Sequence, residues 1–261
     1  MDLHNDPWFQ VKTPNLMASA RLFCFPYAGG SANIYLDWSD YLPRDIEVIA
    51  LQYPGRGSRF VEPLISDCSN MISQIMSHIK PLLDKPFAFF GHSNGGLISF
   101  ELARALQAEG EGRQFHHFIS GRWPIHLPKR NVELSHALSD EEFMHKLRRL
   151  GGTPKEFLEN KGLMEVFLPI LRADFSLNET FVYKEGDKLK TNATIFYGRS
   201  DVGFSEDDLN HWPDLIDGNI DHIGYDGDHF FIHSHKQKLL AFLNMRLISM
   251  IARMHQSRCY A

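Results

Sequence analysis

Residues 87–97 of the chain read Phe-Ala-Phe-Phe-Gly-His-Ser-Asn-Gly-Gly-Leu, an apolar run followed by a G-x-S-x-G motif and a helix-like stretch. At the tip of a sharp turn from strand to helix, a serine exposes its hydroxyl while the flanking backbone segments come close together. Gly91 and Gly95 lie two positions on either side of Ser93, where a Cβ would collide. This context predicts that Ser93 is a catalytic nucleophile. The alternative is a tight glycine turn that happens to contain a serine.

Short apolar runs alternate with helix-like stretches along the chain, a pattern typical of a mostly parallel sheet with crossover helices. Most of these runs are rich in Phe, Ile or Val, as expected where both faces of a sheet are covered. The predicted strands are Arg21–Phe25, Glu47–Gln52, Phe87–Phe90, Phe115–Ser120, Ala193–Tyr197 and Ile220–Tyr225. Helical spacing of apolar residues predicts helices over Asp67–Leu83, Gly95–Gln107 and His235–Met254. Together with the serine turn, this pattern predicts an α/β fold of the α/β-hydrolase type.

A length of 261 residues fits one α/β domain with an insertion, so we expect a single domain over residues 1–261. Residues 122–189 break the alternation, with helix signals at 139–142 and 163–171 and no convincing strand. Ser139, with Glu142 three residues later, predicts a capping box. A helical insertion of this size predicts a lid over the active site, because long insertions are usually functional. The alternative is an elaborated crossover without a gating role.

The composition excludes several classes of protein. Hydrophobic residues make up 43% of the chain, enough for a large core, and the formal net charge of −5 gives no general affinity for nucleic acid. The three cysteines form no C-x-x-C pair, which favours a reducing compartment. The first ten residues lack the apolar core of a secretory signal, and no apolar run of about 18 residues predicts a membrane span. We therefore expect a cytoplasmic protein with no nucleic-acid or membrane partner. The sequence has no clear oligomer signal, so a monomer is the default expectation.

Acyl transfer also requires N–H groups that stabilise negative charge on the attacked carbonyl oxygen. The N–H of Asn94 is one predicted donor, because it lies at the start of the helix, where the dipole favours negative charge. The second donor is expected after an early strand, where residues 23–31 read Phe-Cys-Phe-Pro-Tyr-Ala-Gly-Gly-Ser. Small residues there let the backbone approach a substrate. The N–H of Ala28 is the predicted donor.

A serine hydroxyl is a poor nucleophile without an adjacent base that a third group orients. Of the 14 histidines, His229 is best placed, because it lies in a glycine turn between a predicted strand and the last helix. His92 adjoins the serine in sequence, so its side chain is expected to point away. His233 and His235 suggest a metal cluster with His229. Histidines near a helix start usually face solvent or cap the helix, so no metal site is predicted.

The carboxylate that orients this base is predicted to be Asp201. It follows the strand Ala193–Tyr197, and active-site groups in such sheets gather at the carboxyl ends of the strands. The chain order serine, acid, histidine is that of α/β-hydrolases. Asp226 and Asp228 are nearer to His229 in sequence, but neighbours in a turn rarely reach the second imidazole nitrogen. Asp228 remains the alternative.

Several longer runs carry a resemblance to a known family. They are Phe25-Pro-Tyr-Ala-Gly-Gly30, Gln52-Tyr-Pro-Gly-Arg-Gly57, Pro86-Phe-Ala-Phe-Phe-Gly-His-Ser93, Leu150-Gly-Gly-Thr-Pro154, Phe167-Leu-Pro-Ile-Leu-Arg-Ala-Asp-Phe175 and Gly227-Asp-His-Phe230. Together they resemble the type II thioesterases, stand-alone editing enzymes of polyketide and nonribosomal peptide assembly lines. The chain is also similar to the medium-chain thioesterase of animal fatty acid synthase. The resemblance covers nearly the whole chain.

The resemblance implies a substrate that composition and periodicity do not indicate. This substrate is an acyl thioester on the phosphopantetheine arm of an acyl or peptidyl carrier protein, and no separate cofactor is expected. The resemblance places Ser93, Asp201 and His229 on the triad positions of the family. It places Ala28 and Asn94 on the oxyanion donors, and the insertion on the lid. Asn94 departs from the methionine usual in the family, which predicts a more polar pocket.

Carrier proteins are commonly acidic near the arm, so a basic patch is expected to dock them. The candidates in the insertion are Lys129, Arg130, Lys146, Arg148 and Arg149. An ordinary solvated helix face is the alternative reading of these residues. Three other functions stay open: an oxygen-ester hydrolase with the same triad, medium-chain fatty acyl release, and a non-catalytic binding partner.

Overall fold

The computed structural model describes residues 6–128, 134–150 and 158–259 of the chain. Within these residues, seven strands form one sheet in the order β1-β3-β2-β4-β5-β6-β7. The strands are β1 (Phe9–Gln10), β2 (Ala20–Phe25), β3 (Ile46–Leu51), β4 (Phe87–His92), β5 (Gln114–Ser120), β6 (Ala193–Gly198) and β7 (Ile220–Tyr225). β1 pairs antiparallel with β3, and the other neighbours in this sheet are parallel. The predicted α/β-hydrolase type of fold is confirmed, and each predicted strand is present with its ends shifted by at most two residues.

The helices also follow the prediction. They are α1 (Cys68–Ile79), α2 (Asn94–Ala108), α3 (Asp140–Leu150), α4 (Lys161–Thr180), α5 (Phe231–Ser234) and α6 (Lys236–Cys259). The helix predicted over Asp67–Leu83 is shorter, because Pro81 lacks the N–H that would continue it, and a 3-10 turn over Lys80–Leu82 follows. β1 was not predicted, since two residues give no periodicity. Among the described helices, none has the length and apolar character to cross a lipid bilayer.

Both faces of the sheet are covered, which explains why its strands are apolar. Successive side chains of β4 point to opposite faces. Phe89 packs edge-on against Phe23 in the layer of α1 and α2, with ring centroids 5.9 Å apart. Phe90 packs against Trp38 in the layer of α6, with centroids 4.8 Å apart. Burial of each such ring contributes roughly 1.5–3 kcal/mol, so the two layers fix the strand that leads to Ser93.

The insertion is helical where the structure describes it. Residues 122–128, 134–150 and 158–189 contain α3 and α4 but no strand, as predicted. The predicted capping box is confirmed: the Ser139 N–H donates to Glu142 Oε2 (3.0 Å), and the Glu142 N–H donates to Ser139 Oγ (3.3 Å). The two helices share a small apolar cluster around Phe143 and Leu171. Lys129 and Arg130 lie outside the described residues, and the gating role of the insertion stays a prediction.

A buried ion pair lies at the amino end of the sheet, away from Ser93. Arg21 of β2 donates from Nε to Glu47 Oε2 of β3 (3.0 Å), and both side chains are at most 5% exposed. Arg21 also donates to the carbonyl of Leu82, and Glu47 accepts the N–H of Asn15 (2.9 Å). Because each charge has a partner and further hydrogen bonds, the pair holds two central strands together without an unpaired buried charge.

Candidate active site

The serine turn, residues 91–95, is strained. Ser93 joins β4 to α2 with φ 54° and ψ −114°, and it is the only non-glycine residue in the described chain with a positive φ. Such backbone costs about 1–3 kcal/mol and persists only where its surroundings fix it. A Cβ on Gly91 would overlap the carbonyl of Gly95, and a Cβ on Gly95 would overlap the carbonyl of Phe25. The predicted close approach at both glycines is therefore confirmed.

Backbone hydrogen bonds fix the turn at the carboxyl edge of the sheet. The Ser93 N–H donates to Ser120 O at the end of β5 (2.8 Å), and Ser93 O accepts the N–H groups of Gly96 and Leu97. Ser93 is half-buried at the N-terminus of a helix of 15 residues. The helix dipole there stabilises negative charge that develops beside the serine.

Two backbone N–H groups near the turn are available to an oxyanion. Neither the N–H of Ala28 nor that of Asn94 donates to an atom of the described residues. The neighbouring N–H groups of Gly29 and Gly30 are both occupied, the first by a carboxylate of α4 and the second by the carbonyl of Tyr27. The N–H groups of Ala28 and Asn94 therefore stay candidates for the oxyanion donors.

His229 and Asp201 lie together, as predicted. His229 Nδ1 is 2.6 Å from Asp201 Oδ2, and the two side chains are 25% and 12% exposed. A carboxylate only accepts, so Nδ1 carries the proton and Nε2 of the neutral ring keeps a lone pair. The loops that carry these residues are joined, because the Ser200 N–H donates to Gly227 O (3.0 Å). This tautomer is the one that a general base requires.

The alternative acid, Asp228, forms no hydrogen bond with the imidazole of His229 in the described structure. Its Oδ1 accepts the N–H of Phe230 (2.8 Å), which closes a turn at the start of α5. Asp226 instead forms an exposed ion pair with Arg199 (2.8 Å). The structure therefore brings Asp201, at the end of β6, to His229.

His92 packs beside His229 without competing for its role. Their ring centroids are 5.2 Å apart, and His92 is fully buried. Burial and the nearby His229 and His233 hold the pKa of His92 well below its ordinary value, so the ring is neutral. His92 Nδ1 lies 2.8 Å from Ser120 Oγ at the end of β5. The buried His92 side chain therefore packs under His229, which is itself partly exposed to solvent.

The two other histidines that suggested a metal cluster, His233 and His235, have other partners. His233 Nε2 lies 2.7 Å from the Tyr27 hydroxyl, and His235 Nδ1 lies 3.0 Å from Ser234 Oγ. The Tyr27 ring also packs edge-on against His92 at 5.7 Å. Sequence reasoning missed Tyr27 as a wall of the site, although it lies in the run that contains Ala28.

Sequence reasoning also missed a buried ion pair at this edge. The Arg56 guanidinium donates to both carboxylate oxygens of Asp174 on α4, at 2.5 and 2.8 Å. Burial would lower the pKa of Arg56, but the charge and hydrogen bonds of Asp174 outweigh it, so this pKa is raised. Both residues lie in runs that carry the family resemblance, which was the only signal available in the sequence.

The Asn94 side chain is engaged by the insertion. Its Nδ2 donates to the backbone carbonyl of Asp174 (2.8 Å), and the residue is 5% exposed. The amide thus joins the first residue of α2 to α4. The more polar pocket that the sequence suggested for Asn94 stays a prediction. The backbone N–H of Asn94 is unaffected by this contact.

This arrangement is suited to nucleophilic acyl transfer. It holds a serine on a strained turn, an imidazole oriented by a carboxylate, and N–H donors at a helix start, all at one edge of the sheet. A nucleophile of this kind forms a covalent acyl intermediate and so divides one difficult step into two.

The chain is similar in sequence and structure to known thioesterases. The thioesterase domain family matches residues 20–247. The gramicidin S biosynthesis protein GrsT of Aneurinibacillus migulanus is 37% identical over 245 residues, which cover 94% of this chain and 95% of that protein. The human medium-chain S-acyl fatty acid synthase thioesterase is 33% identical, over 87% of this chain and 86% of that protein. The solved type II thioesterase BorB, from the borrelidin biosynthetic cluster, superposes with a TM-score of 0.84 at 30% identity, over 92% of this chain and 97% of that chain.

Fluorophosphonate labelling tests the assignment of the acid. We expect Ser93 to displace fluoride from the probe, and Asp201→Asn to slow this labelling by about 10³-fold or more, because the tautomer and the imidazolium lose their stabilisation. Asp228→Asn is the matched control and is expected to label at the wild-type rate. Equal slowing in both variants, or in neither, would remove Asp201 from this role.

Proposed function

Because the chain belongs to the thioesterase domain family, we propose that it hydrolyses acyl groups carried as thioesters on the phosphopantetheine arms of carrier proteins. Family membership makes the chain a thioester hydrolase. The observation that supports the mechanism best is the His229–Asp201 hydrogen bond of 2.6 Å at the edge of the sheet where Ser93 is strained. A base held in this tautomer can take the serine proton at Nε2 and give it to the leaving group.

The proposed reaction has two halves. His229 Nε2 takes the hydroxyl proton while Ser93 Oγ attacks the thioester carbon, and the N–H groups of Ala28 and Asn94 stabilise the oxyanion. The C–S bond then breaks, and His229 gives this proton to the leaving thiolate. In the second half, water gives a proton to His229 and its oxygen attacks the acyl carbon. The C–O bond to Ser93 then breaks, and His229 gives the proton to Ser93 Oγ, which releases the carboxylic acid and restores the free serine. Asp201 stabilises the imidazolium in both halves.

The proposed setting is a polyketide or nonribosomal peptide assembly line, in which a stand-alone enzyme clears or releases carrier-bound acyl groups. One relative is named a gramicidin S biosynthesis protein, and this chain matches 95% of its length. A solved relative is a type II thioesterase of the borrelidin cluster. The human relative is a medium-chain fatty acid synthase thioesterase, so medium-chain acyl release is the second candidate.

Hydrolysis of loaded carrier proteins tests this proposal. We expect the wild type to release acetyl, hexanoyl and decanoyl groups from carrier protein, and Ser93→Ala to release none above the uncatalysed rate, as measured by mass spectrometry of the carrier. Fastest release of the short chains would support the editing role. Fastest release of decanoyl groups would favour the second candidate, and no release of any chain would contradict both.

Oxygen esters are the competing class of substrate, because the same triad attacks them. The discriminating comparison is kcat/KM for hexanoyl-pantetheine against p-nitrophenyl hexanoate, at one chain length. A preference for the oxygen ester would identify an esterase. Labelling of Ser93 by fluorophosphonate would distinguish an esterase from a non-catalytic binding protein, because only an activated serine reacts with the probe.

We place carrier docking at the end of α3. Arg148 and Arg149 lie in its last turn and are exposed. Asp140 in its first turn forms an ion pair with Arg172 of α4 (2.6 Å), which joins α3 to the helix beside the site. Lys146 is less available, because its ammonium donates to Ser135 Oγ. The competing reading is that both arginines only complement the helix dipole, which favours cations at this end.

Charge reversal separates these readings. We expect Arg148→Glu with Arg149→Glu to raise KM for acyl-carrier substrates roughly tenfold, because the acidic partner is repelled, and to leave KM for acyl-pantetheine unchanged. Lys12→Glu with Arg44→Glu makes the same change in net charge near the amino end of β3 and is the control. Equal effects on both substrates, or equal effects of both double variants, would rule out docking at α3.

A further inference from the structure

One turn of α4 contacts the loops that follow three neighbouring strands. The carboxylate of Asp174 accepts the N–H of Gly29 (2.6 Å), after β2, and both ends of the Arg56 guanidinium, after β3. The Asp174 carbonyl accepts Asn94 Nδ2 (2.8 Å), after β4. Asp174 is 4% exposed. Asp174 thus contacts both proposed oxyanion donors or their neighbours. It binds Gly29, the residue next to Ala28, and it binds the side chain of Asn94 itself.

We infer that Asp174 is a positioning residue for the oxyanion hole, an inference that rests on the proposed function. The loop after β2 has two consecutive glycines, and Gly29 has φ +76°. Such a segment has many accessible conformations unless something outside it restrains it. A hydrogen bond to a carboxylate is shorter and stronger than one to a neutral acceptor. The Gly29 N–H is held by Asp174 and the Gly30 N–H by Tyr27 O, whereas the adjacent Ala28 N–H donates to no atom of the described residues.

Packing supports the same restraint. A Cβ on Gly29 would overlap the side chain of Leu171, one turn before Asp174, so α4 lies directly on the loop. Gln52 holds the far side of the loop, because its Oε1 accepts the N–H of Ala32 (3.2 Å) and its Nε2 donates to Arg56 O (2.8 Å). The backbone between residues 29 and 32 is therefore fixed at both ends by one buried polar network.

Arg56 allows the carboxylate to be buried there. An isolated buried carboxylate is strongly unfavourable, and the two-point contact with a guanidinium compensates its charge. Asn94 gives the second donor its own link to α4, which a methionine at this position would not provide. Both walls of the oxyanion hole are thus joined to the same turn of the insertion.

The competing interpretation is that this ion pair only stabilises the fold. The Arg21–Glu47 pair supplies the comparison, because it is equally buried but lies at the amino end of the sheet. A purely structural pair is expected to affect unfolding and leave catalysis alone. A positioning pair is expected to affect the stabilisation of the oxyanion, whatever it does to unfolding.

The experiment compares Asp174→Asn with Glu47→Gln in the full chain. The probe is an alkyl trifluoromethyl ketone: the serine oxygen bonds to its carbonyl carbon, and the hemiketal oxyanion occupies the hole. We expect Asp174→Asn to lower the affinity for the ketone about 100-fold. It is expected to lower kcat for acyl-pantetheine by a similar factor, with KM within about twofold of wild type. Glu47→Gln is expected to keep the wild-type ketone affinity, kcat and KM.

Wild-type ketone affinity in Asp174→Asn, or an equal loss in Glu47→Gln, would overturn the inference. If Asp174→Asn fails to fold, Arg56→Met with Asp174→Leu removes both charges and the Gly29 acceptor together, and an apolar replacement of this kind usually folds. This double variant is expected to show the same loss of ketone affinity, and wild-type affinity would again overturn the inference. The ketone result decides the inference even if the wild type hydrolyses no thioester, an outcome that would contradict only the proposed function.

Discussion

The close packing of α2 against β2 and β4 is the constraint on which the rest of the site depends. Ser93 takes a backbone conformation that other residues of the described chain leave to glycine, at a cost of about 1–3 kcal/mol. That conformation persists because Gly91 and Gly95 let the helix touch the strand ends and because β5 accepts the Ser93 N–H. The aromatic layers on both faces of the sheet hold those strand ends in place. Burial of the aromatic side chains in the two layers thus offsets the backbone strain at Ser93.

The proposed catalytic groups come from different crossovers and lie at one edge of the sheet because the strands are parallel. The loops after β2 and β4 bring the N–H donors and the serine, and the loops after β6 and β7 bring Asp201 and His229. The insertion contributes the Asp174 turn, which contacts the loops after β2, β3 and β4. Movement of this turn as a whole would break the Arg56–Asp174 pair and leave buried charges unpaired, which is strongly unfavourable. The Arg56–Asp174 pair therefore ties the carboxyl half of α4 to the site.

The sequence predicts those features that short-range patterns carry. Strands covered on both faces read as apolar runs, and the glycines around Ser93 mark the turn, so the sheet, its helices and the serine turn were predictable. The choice of Asp201 followed from its place at a strand end. The Arg56–Asp174 pair was not predictable from the residues, because its members are 118 positions apart and only the folded chain brings them together. The partner of the Asn94 side chain was not predictable for the same reason, because it lies in a distant helix.

Trapping of the acyl-enzyme tests the central claim, that Ser93 carries the acyl group between the two halves of thioester hydrolysis. The wild type and Ser93→Ala are mixed with hexanoyl-pantetheine, quenched in acid within milliseconds, and digested for peptide mass spectrometry. We expect a hexanoyl mass on the wild-type peptide that contains Ser93, and none in Ser93→Ala, which also loses hydrolysis. Hydrolysis at the wild-type rate by Ser93→Ala, or a hexanoyl group on another residue of an active enzyme, would contradict the claim.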